Sequence, residues 1–183
     1  MHISQLVNLT SRAWCLPILS AMHSGTAGRQ APLIHATGAG RTAFAQSMAH
    51  LIEIGVMERN PGHGHPLRPE FRLTPHGVKA AEIAHSVQSA AAPQNHALLR
   101  RSWTVPILAS LTQPRHFKDI KIQLPAVTDR ALSQSLKLLE SNTLLDRRVD
   151  IAAHPPRPIY SATNDGKAIS QAVEAVIGSG NSF

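Results

Sequence analysis

The chain contains nearly the same phrase twice, 89 positions apart: "HPLRPEFRLTPHG" at 65–77 and "HPPRPIYSATNDG" at 154–166. The similarity extends to "RAWCLPILSAM" and "RSWTVPILASL", which hold Arg, Trp, Pro, Ile and Leu at the same offset. A period of this length is too long for a solenoid unit and is typical of a duplicated domain. We therefore expect two copies of one small module, the first at residues 1–88 and the second at residues 89–183.

The charge of the chain points to a nucleic-acid partner. The net charge is +7, shared as +3 in residues 1–89 and +4 in residues 90–183. A basic surface in both copies favours a polyanionic partner. A membrane partner is not indicated, because the sequence contains no long basic amphipathic helix and no apolar run of roughly 18 residues. The start shows no secretion signal and Cys15 is the single cysteine, so we expect a cytoplasmic, nucleoid-associated protein without an intrachain disulfide.

The pattern of the second copy predicts a helix-turn-helix. An apolar helix over "SWTVPIL" is followed by "RHFKDIKIQL", a proline break and "TDRALSQSLKLLESN". In the last of these segments Leu132, Leu136 and Leu139 lie on one helical face. Thr128 or Asp129 is placed to cap the start of this helix.

Two strand-like runs follow the helix-turn-helix. "LLDRRVDI" and "IYSAT" flank the proline-rich "AAHPPRP", which predicts a β-hairpin with a projecting basic tip, and "DGKAISQAVEAVI" returns to helix. The order of helix, helix-turn-helix, hairpin and helix is that of a winged helix. The predicted fold class is therefore α+β and mostly helical, with two tandem winged helix-turn-helix domains.

The string from Trp103 through Gly166 resembles the HxlR-type winged helix-turn-helix transcription regulators. "SWTVPIL", "RHFKDIKIQLP", "LSQSLKLLESNTLLDR" and "PPRPIYSATNDG" stand where that family has its Trp-containing helix, scaffold helix, recognition helix and wing. The first copy is more diverged, and "TAGRQAPLIHATGAG" keeps little of the scaffold-helix pattern. A typical member is one such domain that dimerises, so the resemblance implies a fused intramolecular pseudo-dimer.

The resemblance implies a sequence-specific regulator that binds double-stranded DNA at a pseudo-palindromic operator, as a monomeric pseudo-dimer or as a homodimer. Outward side chains of each recognition helix would read base edges, while the wings and neighbouring helix ends would contact phosphates. The expected base-reading residues are Thr128, Arg130, Ser133, Gln134 and Lys137 in the second copy and Arg41, Thr42, Gln46 and His50 in the first. The expected phosphate contacts are Arg115, Lys118, Lys121, Arg148, His154 and Arg157 in the second copy and Arg59, His63, His65 and Arg68 in the first.

Three sharper-looking motifs are weaker than they seem. "GAGRTA" at 38–43 imitates a dinucleotide-binding fingerprint, but the repeat places it in the turn before a recognition helix, with no βαβ unit around it. "HGHP" at 63–66 has no Cys or carboxylate neighbour that would complete a metal site. Cys15 belongs to an apolar helix and is expected in the core. We expect no cofactor, no metal and no enzyme activity.

Two alternatives to this interpretation stay open. A tandem winged-helix protein could bind other proteins without specific DNA binding, because a fold does not determine a function. A regulator could also bind a small-molecule effector, but the sequence names no ligand. For each basic residue, a solvated surface charge is the competing explanation.

Overall fold

A computed structural model describes residues 3–60, 70–151 and 153–179. The chain divides into two compact units: the first unit is Arg12–Ser89, and the second unit combines Met1–Ser11 with Ala90–Phe183. The N-terminal helix α1 (Ile3–Thr10) therefore belongs to the second unit. The repeat predicts that residues 1–11 belong to the first copy, whereas the contacts of the folded chain group them with the second unit.

The first unit is a helix-turn-helix followed by a short hairpin and a long helix. Its elements are α2 (Cys15–His23), α3 (Gln30–Thr37), α4 (Arg41–Glu53), β1 (Met57–Arg59), β2 (Phe71–Leu73) and α5 (Pro75–Ala90). The strands β1 and β2 are antiparallel, and an isolated bridge joins Arg29 to Glu70. Helix α3 forms although its sequence keeps little of the scaffold-helix pattern.

The second unit repeats this order of elements. After a 3-10 turn at Pro93–Asn95 come α6 (His96–Leu99), α7 (Thr104–Ser110), β3 (Arg115–His116), α8 (Phe117–Gln123), α9 (Asp129–Ser141), β4 (Leu145–Asp150), β5 (Arg157–Ala162) and α10 (Asn164–Ser179). The sheet has the order β3-β5-β4, with β4 and β5 antiparallel from Leu145↔Ala162 to Asp150↔Arg157. Helices and a small antiparallel sheet agree with the predicted helix-rich α+β class.

The core of the second unit surrounds α7, which packs against α1, α8, α9 and α10. Val105, Ile107 and Leu108 of α7 are fully buried. Each such side chain contributes about 1.5 to 3 kcal/mol when it is removed from water. No helix in the described part of the chain is long and apolar enough to cross a membrane.

Helix α1 completes that core from the far end of the sequence. Leu6 and Leu9 are 0% and 1% exposed. The Thr10 hydroxyl lies 3.0 Å from the Leu6 carbonyl oxygen and 2.8 Å from that of Ser102, which precedes α7. An eight-residue helix is too short to be stable alone in water, so packing against α7 is what keeps α1 folded.

The repeated Thr and Gly of the opening phrase have a structural explanation. The backbone N–H of Thr74 donates to the Val56 carbonyl at 3.1 Å, and the N–H of Thr163 donates to the Leu144 carbonyl at 3.1 Å. Each bond ties the start of the last helix to the segment that leaves the helix-turn-helix. Gly77 and Gly166 then pass so close to these two carbonyls that a side chain has no room. This part of the repeat therefore maintains the fold.

Candidate nucleic-acid interface

Helix α9 separates apolar and polar residues cleanly. Leu132, Leu136 and Leu139 are buried, because the helical period places them on the face turned to the core. The base-reading residues expected on the opposite face are all exposed: Thr128, Arg130, Ser133, Gln134 and Lys137. Thr128 also caps the helix, since its Oγ1 accepts a hydrogen bond from the Ala131 backbone N–H at 3.2 Å.

Two of the expected phosphate contacts, one on each side of α8, are held by internal bonds. Lys121 Nζ donates to the Val127 carbonyl oxygen and lies 3.7 Å from Asp129 Oδ1. Arg115 Nε donates to the Ser110 carbonyl oxygen at 2.7 Å. Both cations therefore stabilise the helix-turn-helix itself, a role that the sequence analysis did not assign to them. Lys118, on α8 between them, is exposed.

The two neighbouring arginines of β4 lie on opposite faces of the hairpin, because side chains alternate along a strand. Arg148 was expected to contact phosphate, and its Nε donates to Asp146 Oδ2 at 2.6 Å. Arg147, which the sequence analysis left out, pairs in register with Tyr160 and faces α9. Among the remaining wing residues, His154 and Arg157 are exposed.

A groove of about 300 Å³ lies between α9 and the hairpin of the second unit. We call it the α9–β4 groove. It is lined by Ser133, Leu136, Lys137, Glu140, Arg147 and Tyr160. Two cations from different elements, a serine hydroxyl and a tyrosine therefore share one concave surface.

His116 holds the hairpin to the helix-turn-helix. Its Nδ1 lies 2.9 Å from the Pro158 carbonyl oxygen on β5, and its Nε2 lies 3.4 Å from Asp150 Oδ2 on β4. Its backbone N–H donates to Asp119 Oδ2 at 3.3 Å, which caps α8. His116 was not among the predicted functional residues, because the usual sequence signal of a capping box is Ser or Thr followed three residues later by Glu or Gln, and His116 with Asp119 does not match it.

The first unit presents a weaker version of the predicted face. Arg41, Thr42 and Gln46 are exposed on α4, and Arg59 is exposed on β1. His50, expected to point outward, is half-buried and its Nδ1 lies 3.8 Å from Glu53 Oε2. The expected wing contacts His63, His65 and Arg68 lie outside the described residues.

The remaining motifs occupy structural positions. Gly38 ends α3 with a left-handed φ of 70° and Gly40 caps α4, so "GAGRTA" forms the turn of the helix-turn-helix. Burial raises the pKa of the Cys15 thiol to about 12, which keeps this core residue protonated and unreactive. In residues 3–60, 70–151 and 153–179, no cluster of three or more His, Cys, Asp or Glu side chains could hold a metal ion.

Residues 98–183 match the family described as HxlR-like helix-turn-helix. The second unit therefore carries an HxlR-like helix-turn-helix domain. The resemblance found in the sequence of the second copy is confirmed over these residues, whereas the match does not extend to the first copy. The matched region contains α9, the hairpin and the α9–β4 groove.

Three curated relatives each match about two fifths of the chain. The uncharacterized HTH-type transcriptional regulator YtfH of Escherichia coli is 35% identical over 75 residues, which are 40% of this chain and 59% of YtfH. YodB, an HTH-type transcriptional regulator of Bacillus subtilis, is 35% identical over 73 residues, 39% of this chain and 64% of YodB. A regulator of Methanothermobacter thermautotrophicus is 32% identical over 75 residues, 40% of this chain and 56% of the relative.

The chain thus spans less than two thirds of the length of each of these relatives. The solved structure of reduced YodB is 27% identical to the chain and covers 51% of it, with 94% of YodB included and a TM-score of 0.41. The matched family and the three relatives are transcriptional regulators and not enzymes, in agreement with the expectation from the sequence.

Proposed function

We propose that this protein is a transcriptional regulator that binds double-stranded DNA in a sequence-specific manner. The observation that carries the proposal is the exposed polar face of α9, where Arg130, Gln134 and Lys137 stand opposite the buried leucines. The match of residues 98–183 to a helix-turn-helix family supports the same conclusion.

In this proposal, α9 enters the major groove and the hairpin lies along the DNA backbone. Arg130 is in the first turn of α9, where it can donate two hydrogen bonds to guanine O6 and N7. Gln134, one turn later, can bond the adenine N6 and N7 edge. His154 and Arg157 of the wing, together with Lys118, contact phosphates and set the register of the protein on the duplex.

The first unit reads a second half-site less strongly. Arg41, Thr42 and Gln46 are its outward polar residues, and the duplication in the sequence supports a pairing of the two copies as an intramolecular pseudo-dimer. Fusion raises the effective concentration of the second module on a pseudo-palindromic operator. Two exposed alanines on α4, Ala45 and Ala49, favour the alternative that this unit contacts another protein.

Selection of bound duplexes from random-sequence DNA tests the proposal directly. We expect the full chain to enrich a two-part motif, and its affinity for the selected duplex should fall steeply with salt. The slope of log K against log salt should be about −0.9 for each neutralised phosphate. An unenriched pool, together with binding that is flat in salt, would leave the protein-binding alternative as the better explanation.

A further inference from the structure

We infer that the α9–β4 groove seats a backbone phosphate of duplex DNA, and that the second unit alone has such a seat among the described residues. The inference rests on the proposed function and makes it more specific. It assigns a DNA contact to Arg147, which the sequence analysis did not place among the DNA-binding residues, and it gives Tyr160 a place in the wall of the groove.

The charges of the groove are available for an external anion. Lys137 and Arg147 are exposed, and neither forms an ion pair within the described residues. By contrast, Arg148 on the opposite face bonds Asp146 at 2.6 Å. A guanidinium and an ammonium from two different elements, neither in an ion pair with another described residue, converge on one concave site, and both groups suit recognition of a phosphate.

The neutral lining of the groove suits the same ligand. Ser133 supplies a hydroxyl that can donate to a phosphate oxygen, and Tyr160 forms part of the wall while remaining only 8% exposed. Leu136 is buried beneath them. A volume of about 300 Å³ accommodates a phosphodiester group with its neighbouring sugar atoms.

Glu140 is the one acidic residue of the groove, one helical turn beyond Lys137. A carboxylate beside a bound phosphate weakens binding by repulsion between like charges. Its removal should therefore strengthen DNA binding, while removal of Arg147 should weaken it. A change in surface charge anywhere gives effects of these signs, so the size of each effect, compared with that of a charge outside the groove, decides whether the groove is the site.

The first unit provides an internal comparison. Its helix α4 and strand β1 align with α9 and β4, and Arg59 pairs with Phe71 as Arg147 pairs with Tyr160. The positions of Ser133, Lys137, Glu140 and Tyr160 are occupied there by Ala45, Ala49, Ile52 and Phe71. The hydroxyls, the ammonium and the carboxylate are all absent there, so Arg59 is the charged side chain among these five aligned, described positions.

The affinity of the full-length chain for its selected duplex, measured by fluorescence anisotropy, tests the inference. Arg147→Gln should weaken binding about tenfold, as for loss of a charge-assisted hydrogen bond, and reduce the salt slope by about 0.9. Glu140→Gln should strengthen binding. Lys167→Gln is the matched control, because Lys167 is an exposed cation of the same unit that does not line the groove.

The outcomes separate the inference from the function on which it rests. If the unaltered chain binds no duplex, the proposed function fails and the inference fails with it. If the chain binds specifically but Arg147→Gln behaves like Lys167→Gln, only the inference is overturned. A loss for Arg59→Gln as large as that for Arg147→Gln would overturn the assignment to the second unit alone.

Inorganic phosphate identifies the source of the anion. When phosphate replaces chloride at constant ionic strength, we expect no additional displacement of the duplex, because a single free anion lacks the neighbouring contacts of a DNA backbone. Preferential displacement by phosphate that disappears in Arg147→Gln would assign the groove to a free phosphate ligand, contrary to the inference. Thermal unfolding of each variant, followed by circular dichroism, verifies that the fold is unchanged.

Discussion

Thr143 adopts a left-handed backbone with φ 58° at the position where the first unit has Gly55 with φ 69°. Both residues follow the last turn of the second helix of the helix-turn-helix. The N–H of Thr143 donates to the Glu140 carbonyl at 3.0 Å, as the N–H of Gly55 donates to the Ile52 carbonyl at 3.0 Å. A β-branched residue is strained in this conformation, whereas glycine is not.

Thr143→Gly should therefore stabilise the second unit by about 1 kcal/mol, because relief of backbone strain exceeds the entropy cost of glycine in the unfolded chain. The carbonyl oxygen of Thr143, which accepts from Thr163 and Asn164, is retained by the substitution. Urea unfolding measures the change. Gly55→Thr is the reciprocal variant and should destabilise the first unit by about 2 kcal/mol; equal stabilities for all three chains would contradict the argument.

Gly166→Ala should destabilise the second unit by about 3 kcal/mol. A Cβ at Gly166 would stand 1.8 Å from the Leu144 carbonyl oxygen, and the one at Gly77 would stand 1.9 Å from that of Val56. Gly40→Ala is the control, since nothing lies within 4 Å of its Cβ position. Equal unfolding temperatures for Gly166→Ala and Gly40→Ala would show that the close approach of Gly166 to the Leu144 carbonyl has no energetic role.

Leu6→Ala should destabilise the second unit by about 2 to 5 kcal/mol, although it lies near the start of the chain. Leu6 is 0% exposed, and its helix packs against α7. Hydrogen exchange should show faster exchange in α7 than in the unaltered chain, with α2 protected as before. Ser4→Ala, an exposed position of the same helix, serves as the control. Faster exchange in α2 and not in α7 would show that α1 packs in the first unit, contrary to the assignment made here.

The stability of the second unit should depend on the ionisation of Asp165. Hydrogen bonds from the Ala92 backbone N–H at 2.7 Å and the Asn95 side-chain amide at 2.8 Å lower the pKa of this carboxyl. The folded-state pKa then lies below the unfolded value of about 3.9, so the stabilisation is complete above that pH and is lost as the pH falls through the folded-state pKa.

Asp165→Asn should therefore be less stable than the unaltered chain at pH 6, and the difference should narrow towards pH 3. Urea midpoints at several pH values measure this. Glu174→Gln, an exposed acid on the same helix, should show no such narrowing. A difference for Asp165→Asn that stays constant with pH would mean that the ionised carboxylate does not hold the segment before α6.

Arg130→Ala and Arg157→Ala should have different effects on DNA binding. Arg130 lies in the first turn of α9, so its loss should weaken binding to the selected duplex by about 1 to 3 kcal/mol and relax the preference at one base pair. Arg157 lies at the start of β5, and its loss should weaken all duplexes alike. Binding to a set of single-base variants distinguishes the two effects; a uniform loss for both would contradict the division between helix and wing.

Local patterns predicted much of each unit correctly. The 3.6-residue period placed Leu132, Leu136 and Leu139 inside and therefore the polar residues of α9 outside, because one helical face must be buried for so short a helix to persist. The proposed cap at Thr128 is confirmed by its bond to Ala131. These features depend on residues within one or two turns of each other.

Contacts between distant segments required the tertiary structure. The apolar stripe of α1 shows that the helix needs a partner, but only the fold identifies that partner as α7, about a hundred residues away. Even some nearer contacts were not predicted: Arg115 and Lys121 read as free cations in the sequence, whereas the loops on either side of α8 bring the carbonyl oxygens of Ser110 and Val127 to them. The sequence alone does not distinguish the adjacent Arg147 and Arg148. In the folded strand Arg147 faces α9, whereas Arg148 bonds to Asp146. A sequence pattern specifies which face of an element is buried or charged, because that depends on the period of the backbone; what meets the face depends on chain segments that only folding brings together.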